Sequence, residues 1–268
     1  MTSYFLHDGL DTSENYSPAT LPSAEASREA EREDVHVLRE KLCIPRQSGL
    51  VTRPRLAELL RRSTTKFPAT LISGRAGTGK STVVAEFARK SDHVAWYSVE
   101  SSDIDWKVFA HYFATSVLAS AESKAAVNDV LPDEIHVSQS AIATFLTNLF
   151  AEAESELVYQ PYYIVLDDIH HLFDAEWFGE FFTLLLSSLP DTTRIILLCR
   201  SKPPNPLWRL RSKQQLNVID EKLLAFDLAE TVELMKRSGL RRSDAERAHS
   251  ATFGRISKLI EYVGGHTD

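Results

Sequence analysis

Apolar residues along this chain arrive in two alternating rhythms. Short, largely apolar runs at 69–73 (ATLIS), 93–99 (HVAWYSV), 162–166 (YYIVL) and 193–199 (TRIILLC) have the length and content of buried strands. Between them lie stretches with apolar residues three and four apart, the spacing of one helix face. Helices are expected at 81–89, at 105–119, where Trp106, Phe109, Phe113 and Val117 set the period, at 139–157 and at 177–189. Leu56, Leu59 and Leu60 set a further helical face after Pro54. Strands that are apolar on both faces and alternate with helices predict an α/β fold, a parallel sheet covered by helices on both faces. Beyond residue 220 the strand signal stops, and helices are expected at 227–238, 243–250 and 254–263. The chain is therefore divided into a tail at 1–40, rich in Ser, Thr, Glu and Ala, an α/β domain at 41–220 and a small helical, lid-like segment at 221–268.

Composition narrows the picture without redirecting it. With 268 residues, 43% of them hydrophobic, the chain can bury a sizeable core. A formal net charge of −7 argues against a generic nucleic-acid binder, so direct DNA binding is not expected. No apolar run approaches the length of a membrane span, and the N-terminus has no secretory pattern. The cysteines, Cys43 and Cys199, lack the spacing of a zinc site or a disulfide framework. They read as packing residues in a cytoplasmic protein.

The chemistry is concentrated where strands end. Gly74-Arg75-Ala76-Gly77-Thr78-Gly79-Lys80-Ser81 fits the pattern GxxxxGK[ST] and sits between a predicted strand and a predicted helix. Its glycines let the backbone curl so that N–H groups converge on phosphates, and the following helix adds its positive end. Lys80 is placed to reach the β- and γ-phosphates, Ser81 to ligate Mg²⁺ and Thr82 to reach the α-phosphate. Asp167 and Asp168 close the run YYIVL at the carboxyl edge of the sheet, where open α/β sheets bind ligands. Asp167 fits the Mg²⁺-holding aspartate, and Asp168 the position of a general base. Asp168 is one methylene shorter than glutamate, which predicts weak polarisation of water and slow hydrolysis. Arg200, after the next strand, is a candidate sensor of the γ-phosphate. His170 and His171 diverge at a helix start, so they read as loop packing or orientation of the aspartates rather than as metal ligands. One strand separates the P-loop strand from the strand ending in Asp167, which marks the inserted-strand branch of P-loop NTPases. With no guanine-recognition motif visible, the expected ligands are ATP and ADP with Mg²⁺.

Several segments, in order, resemble the nucleotide-binding domain of the MalT-like, LuxR-related ATP-dependent transcriptional regulators, which are STAND ATPases. They are KLCIPRQSGLVTRPRL, the loop GRAGTGKST, WYSVESSDIDWKVFAHYF with Asp103, Asp105 and Phe109, IVLDDIHHL, LLCRSKPPNPLWRLRSKQQL, and TFGRISKLIEYV. Cys199, Ile169 and Trp208 depart from the family pattern. The resemblance implies an ATP/ADP switch in which Val51 and Arg53 pack near the adenine while Lys80, Asp167 and Arg200 read the phosphates. Members of this family continue into sensor and DNA-binding domains. Because the chain ends at Asp268, a slow regulatory ATPase with no DNA-binding domain of its own is expected, with a homo-oligomer or a full-length regulator as partner. The alternative is an AAA+-like oligomeric ATPase acting on DNA, as a transposition or loader helper. Its arginine finger would come from Arg209, Arg211 or Arg241, none of them distinctive. A third possibility is a non-enzymatic remnant that regulates a full-length relative.

Overall fold

The structure is a computed structural model that describes residues 38–46, 51–132, 137–157 and 161–265, with side chains described up to Ala153 in the helix that ends at Leu157. Most of the predicted tail and the last residues of the chain lie outside the described residues.

Five strands form one parallel sheet: β1 (Ala69–Ser73), β2 (His93–Ser98), β3 (Tyr162–Asp167), β4 (Thr193–Cys199) and β5 (Leu216–Ile219). Their spatial order is β2-β3-β4-β1-β5, so β3 and β4 lie between β2 and β1. The register sets Ile72 of β1 beside Leu198 of β4 and Ile219 of β5, and Val165 of β3 beside Ile196 and Trp96. Alternation along each strand then assigns these residues to one face. There they pack with Leu56 and Leu60 of α1 (Pro54–Lys66) and with Val83, Val84 and Ala88 of α2 (Lys80–Ala88). Tyr97 points to the opposite face, where its ring lies 5.8 Å from that of Phe109. An aromatic core continues there through α3 (Trp106–Ser120), α5 (Gln139–Leu157) and α6 (Phe178–Ser188), with Trp106 edge-on to Phe145 and Phe181 edge-on to Phe109. A single turn, α4 (Val127–Val130), precedes α5. The predicted parallel sheet with both faces covered is thus present.

Besides the single turns α4 and, after β5, Glu221–Leu224, two elements had no counterpart in the sequence reading. The strand β5 has only four residues, and α7 (Asn205–Ser212) occupies the basic stretch between β4 and β5. Asn217 sits inside β5, which breaks its apolar run, and its amide donates to Ser63 Oγ at 2.8 Å. After β5 come α8 (Glu221–Leu224), α9 (Leu228–Arg237), α10 (Arg242–Thr252) and α11 (Ile256–Gly264). They have a small core of their own, made of Phe226, Met235, Ala245, Ala248 and Leu259, and Val51 is buried in it.

The segment ahead of α1 is anchored by a buried charge. Lys41 lies in a 3₁₀ turn (Arg39–Leu42) and is 5% exposed. Its ammonium donates to Asp103 Oδ1 at 2.7 Å, lies 3.0 Å from Glu100 Oε2 and sits 4.6 Å above the Tyr112 ring. Asp103 is fully buried and also accepts from the Glu100 N–H, closing a capping box. Removing one partner of a buried pair leaves the other charge uncompensated. Lys41→Met should therefore lower unfolding stability by about 3 kcal/mol. A urea denaturation series against the parent chain, reading the midpoint at constant slope, checks it.

Candidate functional site

The P-loop emerges from β1, whose carboxyl end is flanked by β4 and β5. Gly74 N–H donates to Cys199 O at 3.2 Å, which pins the start of the loop to the end of β4. Gly77 and Gly79 take φ of +72° and +82°, a left-handed backbone that side chains strain to adopt. Gly79 is the residue immediately before α2, so the helix begins at Lys80 with its free N–H groups facing the loop. Thr78 Oγ1 caps the loop internally, donating to Arg75 O at 2.9 Å.

Lys80 is 5% exposed and folds back over the loop. Its ammonium donates to Gly74 O at 2.5 Å and to Arg75 O at 3.0 Å. Burial pushes its pKa down, opposed by the nearby charge of Asp168, while Arg200 adds to the downward push and Asp167 opposes it. The cation is therefore held in place by carbonyls of the loop it serves.

Asp167 ends β3 and is 6% exposed. Burial pushes its carboxyl pKa up, and the nearby Ser81 hydroxyl works against that rise. The same carboxylate accepts from the Asp168 N–H at 2.9 Å. A hydroxyl beside a carboxylate is the donor set of a hard divalent cation that keeps several waters, so Ser81 and Asp167 fit Mg²⁺. Asp168 has φ 58°, which an aspartate tolerates better than most residues. This turns its carboxylate toward Arg200, which grips it through Nε at 2.9 Å and Nη2 at 2.5 Å. His170 Nδ1 lies 3.8 Å from Asp168 Oδ1, and the rings of His170 and His171 lie 4.2 Å apart. Lys80, Ser81, Asp167, Asp168 and Arg200 thus meet at one sheet edge.

On the β5 side the loop meets the C-terminal helices. Arg75 donates to Glu221 from its guanidinium (Nη2 to Oε1, 2.8 Å) and, more weakly, from its backbone N–H (3.3 Å). A Cβ on Gly77 would stand 3.3 Å from Ser257 Cβ. Arg53 is 3% exposed and donates through Nη2 to Leu224 O at 2.8 Å, Ala225 O at 3.1 Å and Glu230 Oε2 at 3.0 Å. Its guanidinium lies 4.2 Å from the Phe226 ring centroid, and its Nη1 faces Gly79 with no hydrogen-bond partner. Sequence reasoning placed Val51 and Arg53 in a nucleotide site but missed Glu221 and Glu230. Both carry signals visible afterwards, since each is an acid in the first turn of a helix.

Known proteins place the chain by family and fold. A family model described as an AAA ATPase domain matches residues 52–198, more than half of the chain. The HTH-type transcriptional regulator MalT of Vibrio cholerae is 29% identical over 222 residues, covering 82% of this chain and 23% of that protein. MalT of Serratia proteamaculans is 32% identical over 183 residues, covering 68% of this chain and 19% of that protein. The chain thus spans about a quarter or less of these relatives. Among solved structures, a Walker-type ATPase of Pyrococcus abyssi superposes with a TM-score of 0.55 at 14% identity, covering 83% of this chain and 70% of that one, a likeness of fold. No described helix is long and apolar enough to cross a membrane.

Charge-assisted hydrogen bonds contribute about 1.5–3 kcal/mol each. Lys80→Ala should therefore weaken ADP binding by about 100-fold in a chain that still unfolds cooperatively. Isothermal titration with ADP and Mg²⁺ checks the first part, and a melting curve the second.

Proposed function

The chain belongs to the AAA ATPase domain family, and from that premise we propose that it is a STAND-type nucleotide switch. In this reading ATP and ADP hold residues 221–268 differently against the α/β core, and hydrolysis is slow. The chain is an AAA-type ATPase domain related to the MalT regulators. The switch is the finer claim.

The observation that carries it is the position of Arg53. One buried guanidinium binds the start of the C-terminal helices through Leu224 O, Ala225 O and Glu230 while presenting its other nitrogen to Gly79 of the P-loop. Phosphates seated in the loop alter the field at that nitrogen, and the helices bear the consequence. Arg75–Glu221 adds a further tie across the same junction, and Ser257 stands over Gly77 closely enough that a Cβ there would come within 3.3 Å of it. To invert a two-state population, a ligand must favour one state by about 10⁴-fold.

Ser81 and Asp167 would hold Mg²⁺, which neutralises charge on the phosphates. Lys80 leaves the carbonyls of Gly74 and Arg75 to bind the β- and γ-phosphates, while Val51 and Arg53 brace the C-terminal helices that border the nucleoside. Thr82 takes the α-phosphate, while Gly74, Ala76, Gly77, Thr78 and Gly79 supply the backbone cradle. Asp168 is the base that orients water, and Arg200 is its restraint. While Arg200 holds both carboxylate oxygens, neither is free to accept from the attacking water, so turnover waits for Arg200 to turn to the γ-phosphate.

A second reading, an oligomeric ATPase acting on DNA, draws on Arg209 and Arg211, which are exposed on α7 and available to a neighbour. DNA-stimulated turnover that rises with protein concentration would favour it.

The switch predicts ATP turnover of about 10⁻² s⁻¹ or slower, as in nucleotide switches without an activator. It also predicts different protease cleavage patterns within residues 221–265 for the ATP and ADP forms. Turnover of many per second with ATP alone, or identical patterns, would sink it. Arg200→Ala should release Asp168, and a single-turnover measurement should then show a changed hydrolysis step with ADP affinity preserved.

A further inference from the structure

Phe253 is 83% exposed, the most exposed large hydrophobic side chain among the described residues. It is also in a left-handed conformation, φ 53° and ψ 37°, at the end of α10, a position that favours glycine or asparagine. An aromatic there has neither a backbone preference nor packing to justify it. The turn beneath it is nonetheless rigid. Phe253 N–H donates to His249 O at 2.8 Å, and Phe226 N–H donates to Gly254 O at 2.8 Å. Gly254, at φ +70°, lies so close to Phe226 that a Cβ would stand 2.0 Å from the Phe226 carbonyl oxygen. A fixed backbone therefore presents an uncovered ring.

Phe253 borders a cleft of about 500 Å³ that is also lined by Arg75 and Thr78 of the P-loop, by Leu224 and by Arg255. That volume is within the range of small-molecule sites and accommodates a nucleoside. A nucleotide whose phosphates occupy the P-loop leaves its nucleoside outside the loop, and this cleft adjoins it.

We propose that Phe253 is the stacking platform for the base of the bound nucleotide, closing the cleft between the P-loop and the C-terminal helices over it. The assignment rests on the nucleotide reading of the P-loop. Stacking tolerates any base, because every base has a π-face, so Phe253 sets affinity for nucleosides as a class rather than for adenine alone.

The test compares ADP with inorganic tripolyphosphate, which fills the phosphate cradle and has no base, each titrated with Mg²⁺ into the full chain. Phe253→Ala should weaken ADP by about ten- to a hundred-fold and leave tripolyphosphate unchanged, and Phe253→Trp should keep the parent affinity for ADP. Because the ring is exposed, both variants should melt with the parent. Unchanged ADP affinity in Phe253→Ala overturns the platform while the P-loop reading stands. Equal weakening of ADP and tripolyphosphate also overturns it, since that reports a disturbed loop. A parent chain that binds neither ligand overturns the P-loop reading itself, and the platform with it.

Discussion

A guanidinium cannot be left in a protein interior without partners, and Arg53 is 3% exposed. That constraint organises the junction on which the molecule depends. Satisfying Arg53 requires the carbonyls of Leu224 and Ala225 at the end of α8 and the carboxylate of Glu230 in the first turn of α9. Those groups converge only if the C-terminal helices fold back against α1. Burial pushes the Arg53 pKa down and Glu230 holds it up, yet a guanidinium remains charged at any ordinary pH. Arg55 joins the same carboxylate from the exposed side, at 3.2 Å. The cation thus recruits the helices to a place beside the P-loop, and the cleft with Phe253 on its rim follows from where they are held.

On the other side of the loop, the sheet does the equivalent work. Placing β1 between β4 and β5 brings Lys80 within reach of the charges at the ends of β3 and β4. The two sides differ in kind. The β3–β4 side gathers the charged groups Asp167, Asp168 and Arg200 around Lys80. The β5 side ties the loop to the C-terminal helices through Arg75 and Glu221.

Much of this was legible in the order of residues. The four longer strands announce themselves as apolar runs, and GRAGTGKS between a strand and a helix admits few readings. Asp167, Asp168 and Arg200 were found because they end strands, and strand ends share an edge. What could not be read was pairing across distance. Nothing local says that Lys41 seeks Asp103, that Arg53 seeks Glu230, or that Arg200 closes on Asp168. Each acid also serves a nearby backbone role, which hides its second partner: Asp103 and Glu230 both complete capping boxes. The strand β5 escaped because Leu216–Ile219 is too short, and too interrupted by Asn217, to show a rhythm. Its existence is a tertiary fact, drawn out by the open edge of β1.

That shortest strand has a mechanical meaning. β5 pairs only with β1, from Leu216 beside Ala69 to Ile219 beside Ile72, and Asp220 leads from it directly into α8. The covalent path from the sheet to the C-terminal helices therefore runs through a four-residue ladder at the sheet margin, alongside the strand that becomes the P-loop. A load applied along the chain from the helices meets that ladder before any other strand pair. The shortest ladder of the described sheet is thus the covalent bridge between the core and the C-terminal helices.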